Sequence, residues 1–168
     1  MTRFLEIARQ HSPVQGISEL SSLPRLHEAL AELGCTASSL ADMRVSYSLQ
    51  SQPPRMFGEQ RLPMLQLSVS TILPLLCQRC FEPMPQEVAL HVTFAVCDTP
   101  PEALLEEDDV DWLETEDALS VETLVEDEVL MALPIAVLHE HACGPVQHTV
   151  GEKPNPFAVL KQLKRESE

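Results

Sequence analysis

Three thiols and two imidazoles fall in two short clusters of this chain, Cys77-Gln-Arg-Cys80 and His139-Glu-His141-Ala-Cys143, about sixty residues apart. Deprotonated cysteine sulfur and neutral histidine nitrogen are the donors of a tetrahedral zinc ion, and a Cys-x-x-Cys step is a usual half of such a site. Cys77, Cys80, His139 and Cys143 would make a closed set of four, with His141 as the alternative fourth donor. His139 has the advantage of a four-residue step to Cys143, which gives the closing loop more room. If the clusters meet, they clip together remote segments and close a long loop that chain entropy would otherwise leave open. Two other readings of the pair stay open: a reduced, metal-free turn, and a thioredoxin-like redox pair. The redox pair belongs after a strand at a helix start.

Catalytic use of such an ion is disfavoured. A zinc hydrolase needs an open coordination position and a carboxylate base; Glu140 is adjacent, but the cluster lacks the two-histidine helical spacing of metalloproteases. Zinc deaminases carry His-x-Glu ahead of Cys-x-x-Cys, the reverse of the order here. Four protein ligands leave no place for a substrate. The sequence therefore predicts a structural zinc site, no catalytic residue and no small-molecule substrate.

The elements flanking the first cluster read clearly. From 64 to 76 the chain alternates, with Leu65, Leu67, Val69, Thr71 and Leu73 on one side and Gln66, Ser68 and Ser70 on the other. Val88, Leu90, Val92, Phe94 and Val96 repeat the period of a half-buried strand. The Cys77–Cys80 knuckle then caps a long antiparallel hairpin, where zinc ribbons carry theirs, and Pro83 and Pro85 are expected to prevent early pairing. Val45 to Leu49 predicts another strand, ended by Gln52-Pro-Pro-Arg55, and Val14-Gln-Gly-Ile17 a short extended piece.

Two helices are predicted before a last short one, Phe157 to Arg165, which follows the extended 151–156 and could dock Phe157, Leu160 and Leu163. One begins at Ser21-Ser-Leu-Pro24, where a hydroxyl caps and a proline fits the first turn; it lines up Leu23, Leu26, Leu30 and Leu33 and stops at Gly34. The other spans 121–133, capped by Ser120 and ended by Pro134, with Val121, Leu124, Val125, Val129 and Ala132 inward and Glu122, Glu126, Asp127 and Glu128 outward. It aims the His139–Cys143 cluster. Cys97 and Cys35 read as packing residues and His27 as a surface residue.

Charge is divided unevenly. The chain carries −15 in 168 residues, yet 98–150 holds fifteen Asp or Glu and no Lys or Arg, while both flanks are near balance. Such a face repels phosphate backbones and attracts basic surfaces, which favours a basic protein partner over nucleic acid. Glu106, Glu107, Asp108, Asp109, Glu126, Asp127 and Glu128 are the expected partner-binding residues; a solvated acidic loop is the bland alternative. Calcium is disfavoured because no glycine-punctuated EF-hand loop is present. The competing basic patch would use Arg55, Arg61, Arg79, Lys161, Lys164 and Arg165 to contact RNA.

Aromatic residues make up only 4%, so Leu and Val must build the core, and 14 prolines keep the elements short. We expect one α+β domain over 1–168: an antiparallel β-sheet with a long hairpin bearing the knuckle, packed with two or three short helices. A mobile acidic segment is expected at about 98–118, with Val110-Asp-Trp-Leu113 as a pairing strand, and an extended arm at about 151–168. Nothing near the amino terminus joins a basic start, an apolar run and a cleavage site, and no stretch nears the ~18 apolar residues of a membrane span. A cytoplasmic protein without membrane contact is expected, and the five cysteines, an odd count, fit a reducing compartment.

Three motifs, Cys77-Gln-Arg-Cys80-Phe-Glu-Pro83, Val125-Glu-Asp-Glu-Val-Leu-Met-Ala-Leu-Pro134 and Lys153-Pro-Asn-Pro-Phe-Ala-Val-Leu160, resemble the YceD family of large ribosomal RNA subunit accumulation proteins. The resemblance spans roughly 15–165 and keeps the motif order. It implies a part in synthesis, processing or stability of 23S ribosomal RNA and carries no enzymatic activity with it; joined to the acidic charge of 98–150, it leads us to expect a ribosomal protein or large-subunit assembly intermediate as partner, with RNA contact indirect. The alternatives are a direct rRNA-binding protein or a zinc-dependent RNA-processing enzyme. In many relatives a cysteine stands at the position of His139, and an imidazole is within the range of zinc ligands.

Overall fold

The computed structural model describes residues 4–10, 13–115 and 119–144. Its framework is the alternating sequence itself, drawn out into a five-stranded sheet: β1 (Val14–Glu19), β2 (Arg44–Phe57), β3 (Gln60–Leu76), β4 (Pro83–Val96) and β5 (Val110–Leu113), in that order across the sheet. Neighbours run antiparallel except β5, which lies parallel to β4 over Thr93–Val96. The helices are α1 (Phe4–Arg9), α2 (Pro24–Glu32), α3 (Ala37–Leu40), α4 (Glu102–Leu105) and α5 (Val121–Met131), with a 3-10 turn at Leu20–Ser22. The architecture is α+β, as the sequence predicts; α1 has too short an apolar pattern to be read there.

Periodicity decides which face is dry. Leu65, Leu67, Leu73 and Leu75 of β3 are fully buried and join Val45 and Leu49 of β2 and Phe94 and Val96 of β4 in one core. Leu26 and Leu30 of α2, Val125 and Val129 of α5 and Phe4 of α1 close it. Burying each such side chain contributes roughly 2 kcal/mol against the chain's entropy. At the far end of the opposite face a second cluster gathers Phe57, Leu62, Met64, Ala95 and Cys97 with Leu104 of α4 and Val110 of β5. The tight turn from β2 to β3 uses Gly58 at φ +60°, a backbone region that glycine enters without penalty.

The strands overrun the prolines expected to stop them. β2 continues through Pro53 and Pro54 by inserting one extra residue between the pairs Gln52–Met64 and Arg55–Leu62, a bulge that accommodates missing donors. Pairing of β3 with β4 runs on through Pro74–Pro85 to Leu76–Pro83. Here the neighbouring strands have already ended, since β2 meets β3 only as far as Thr71 and β5 meets β4 only from Thr93. A proline facing those empty sides gives up no ladder bond, and the Pro74 carbonyl accepts from the Cys35 thiol at 3.2 Å instead.

The start of α2 corrects a second expectation. No hydroxyl caps it: the position before Pro24 is Leu23, without a side-chain bond. The free amides of Arg25 and Leu26 donate instead to Glu126 Oε1 of α5, at 2.7 and 3.0 Å. Arg25 Nε and Nη2 both reach Glu126 Oε2 at 2.9 Å, and Nη1 reaches Asp127 Oδ1 at 2.6 Å. Glu126 and Glu128, expected on the solvated side of α5, are 3% and 8% exposed. α5 is itself capped as predicted, the Ser120 hydroxyl accepting from the Thr123 amide at 3.0 Å.

Candidate metal centre

The β3–β4 hairpin ends in a turn that the backbone makes tight. Cys77 N–H donates to the Glu82 carbonyl at 3.0 Å, and Phe81 N–H to the Cys77 carbonyl at 2.8 Å. Phe81 sits at φ +61°, an uncommon left-handed conformation for a residue with a side chain. That wrap directs both thiols of the knuckle to one point. Cys77 is fully buried there, while Cys80, His139 and Cys143 are partly exposed.

The second cluster arrives on a strap that leaves α5 at Pro134. Gln78 N–H donates to the carbonyl of Val137 at 2.8 Å, and the Val137 side chain is buried in the main core, so the strap is pinned two residues before His139. Arg79 clamps the other half: its Nε reaches Cys143 Sγ at 3.2 Å and its Nη2 donates to the carbonyls of His139, at 3.1 Å, and His141. Gly144 follows at φ +81°, where an added Cβ would stand 3.2 Å from the Arg79 carbonyl. Both the conformation and the space favour glycine.

One donor atom each from Cys77, Cys80, His139 and Cys143 lies within 4.8 Å of the others. Cys77 Sγ is 3.5 Å from Cys143 Sγ, Cys80 Sγ is 3.4 Å from His139 Nδ1, and His139 Nδ1 is 3.2 Å from Cys143 Sγ. Zinc–sulfur bonds of about 2.3 Å in a tetrahedron set ligand atoms about 3.8 Å apart, within the range these donors span, so an ion of that kind fits with small shifts of the side chains. The group could hold a metal ion. His141 lies outside it, its ring centroid 4.9 Å from that of His139.

Electrostatics around the sulfurs point the same way. Burial pushes the Cys77 thiol up, but hydrogen bonds from the backbone of His139, Arg79 and Cys80 and from Cys143 outweigh it and bring Cys77 down to about 5. Burial likewise pushes Cys143 up, and the Arg79 guanidinium and His139 more than reverse it. The Glu82 backbone draws Cys80 down, yet burial and the two neighbouring sulfurs leave it above its ordinary value. Negative charge is thus invited at the first two sulfurs and repelled from the third, a conflict that a dication removes.

The remaining predicted residues are scattered. Glu106, Asp108 and Asp109 are exposed beyond α4, while Glu107 pairs with Arg55 at 2.9 Å. Glu126 and Asp127 are engaged by α2, and Glu128 is buried beside β5. Of the candidate RNA contacts, Arg79 is turned into the cluster and Arg55 lies over the Phe57 ring at 5.3 Å; Arg61 is exposed. Lys161, Lys164, Arg165 and the arm at 151–168 lie outside the described residues, and no helix among those described is long and apolar enough to cross a membrane. Over its described part the acidic segment carries α4 and β5, and at its ends the Asp98 carboxylate accepts from the Thr115 amide and hydroxyl at 3.0 and 2.6 Å. Sequence reasoning missed the Arg79 clamp and the Glu126 cap.

Comparison with known proteins adds what geometry cannot. A family model described as "Large ribosomal RNA subunit accumulation protein YceD" matches residues 65–164, both cysteine-bearing clusters included. A protein of that name from Haemophilus influenzae is 28% identical over 166 residues, covering 89% of this chain and 86% of its own length. No solved structure matches. With the family model spanning more than half of it, the chain belongs to the YceD family.

Proposed function

We propose that this protein is a non-catalytic, cytoplasmic assembly factor that supports accumulation of 23S ribosomal RNA by holding a basic ribosomal protein or an assembly intermediate containing one. The observation that carries this reading is the charge division: fifteen carboxylates and no Lys or Arg in 98–150. Exposed Glu106, Asp108 and Asp109 offer that charge to a partner. The family's printed name supplies the RNA, and the charge supplies the reason for acting on it through a protein.

Zinc held by Cys77, Cys80, His139 and Cys143 is structural in this reading: it would fasten the strap after α5 to the hairpin tip. Four protein donors complete a tetrahedron and leave no position for substrate, which favours this role over a zinc-dependent RNA-processing enzyme. Direct RNA binding is weakened because Arg79 and Arg55 already have internal partners.

Copurification tests the reading. Tagged protein is expected to bring down a basic large-subunit protein at moderate salt; recovery of naked large-subunit RNA in high salt without any ribosomal protein would refute it. Elemental analysis of the same preparation is expected to find about one zinc per chain, lost in Cys143→Ala.

A further inference from the structure

We propose that the groove between β5 and α5 is a binding site for a basic, apolar segment of a protein partner, with Glu128 receiving its Lys or Arg. This rests on the reading that the acidic part of the chain meets a basic protein, and it names the place. The groove encloses about 490 Å³, floored by Phe94, Leu113 and Leu124. Its rim carries two large apolar side chains side by side with the acidic wall: Trp112 is 45% exposed and Met131 70%. Trp and Met are residues that anchor interfaces, one by area and one by adaptability.

Glu128 is the observation that specifies the ligand. It lines the groove, is only 8% exposed, and has no hydrogen-bonding or ion-pair partner among the described residues. Asp111, exposed, and Asp127, half-buried, share the wall, so like charge gathers around the buried Glu128. Of the three, Asp127 alone meets a cation among the described residues, Arg25 at 2.6 Å. No buried side-chain oxygen among the described residues is left unbonded, so the Glu128 carboxylate reaches water through the groove, beside two like charges that disfavour its charged form until a cation arrives. A partner's guanidinium or ammonium would satisfy Glu128 and Asp111 together while an adjacent apolar side chain covers Leu130 between Trp112 and Met131. Nucleic acid would bring a further negative charge to the same wall.

Trp112, the one tryptophan of the chain, reports occupancy directly. Full-length protein is titrated with a synthetic peptide alternating leucine and lysine, with the same peptide carrying glutamate for lysine, and with single-stranded RNA. The lysine peptide is expected to shift Trp112 emission to the blue and saturate; Glu128→Gln is expected to weaken it roughly tenfold, and Met131→Asp to weaken it further. A urea midpoint for Glu128→Gln at or above that of the unmodified chain shows that the fold is intact. Equal binding of the glutamate peptide, an equal response to RNA, or an unchanged affinity in Glu128→Gln overturns the proposal. So does binding that emerges only when Lys161, Lys164 and Arg165 are changed to Gln, since the groove would then be filled by the chain's own tail. If tagged protein copurifies with a basic ribosomal protein and Glu128→Gln with Met131→Asp does not reduce it, the groove fails while the assembly role stands. If the unmodified chain brings down no basic protein, that role fails instead.

Discussion

Two carboxylates two residues apart on α5 are both buried and do opposite things. On the seam with α2, Glu126 accepts from two backbone amides and the Arg25 guanidinium, so its charge is consumed by the fold. On the groove side, Glu128 lies beside Asp111 and Asp127 with no donor to it among the described residues. Burial alone therefore does not tell a structural charge from a functional one. The inventory of donors around it does.

Removing each charge sharpens that contrast. Glu126→Ala strips the cap from α2 and leaves Arg25 without its deepest partner; a loss of roughly 3 kcal/mol is expected in urea unfolding. A loss under about 0.5 kcal/mol would mean that water caps α2 equally well.

The knuckle is a third crowd of charge, and there the comparison predicts that the missing counter-charge is an ion. Zinc at about a hundredfold excess over its Kd should raise stability by about 2.7 kcal/mol, with no gain in Cys80→Ala. Binding displaces the proton of Cys80, which is held above its ordinary value, and near about 5 that of Cys77 as well, so affinity should fall with pH throughout the neutral range and further toward 5, which competition with a chromogenic chelator would follow.

Glu128→Gln is the inverse of the first substitution and should stabilise by about 1 kcal/mol at neutral pH. Burial, then Asp111 and Asp127, hold Glu128 above its ordinary 4.5. The folded chain thus binds this proton more tightly than the unfolded one, and Glu128 erodes stability as pH rises through that raised value. The advantage of Gln should vanish below pH 4.5.

Smallest is Asp98→Asn. The Thr115 hydroxyl and amide hold Asp98 below its ordinary 3.8, so its contribution is present above that pH and is lost on acidification through the lowered value. Acid unfolding curves of the two proteins should differ at neutral pH and converge in strong acid.

How much of this was legible in the sequence depends on whether the cause was local. The β3 and β4 alternation, the Ser120 cap, the Gly34 stop, the 110–113 pairing strand and the two cysteine clusters each follow from neighbours in the chain, and each was read. Prolines misled because their effect depends on which side has a partner strand, a property of the sheet. The outward assignment of Glu128 was avoidable: it lies four residues after Leu124 and seven after Val121, within the apolar stripe of the helix. Glu126 carried no such signal, because its partners lie a hundred residues upstream. Arg79 was read as a free cation because a guanidinium that grips carbonyls and a thiolate looks, in one dimension, like any surface arginine.

The distance between α2 and its capping carboxylate has a consequence for biosynthesis. Leu26 leaves the ribosome 100 residues ahead of Glu126, and translation at roughly 5–20 residues per second makes that an interval on the order of ten seconds. Throughout it α2, nine residues long, lacks both its carboxylate cap and the helix it packs on, and a helix that short has little stability alone. Protease resistance of the amino-terminal half is therefore expected only after α5 has emerged, late in synthesis.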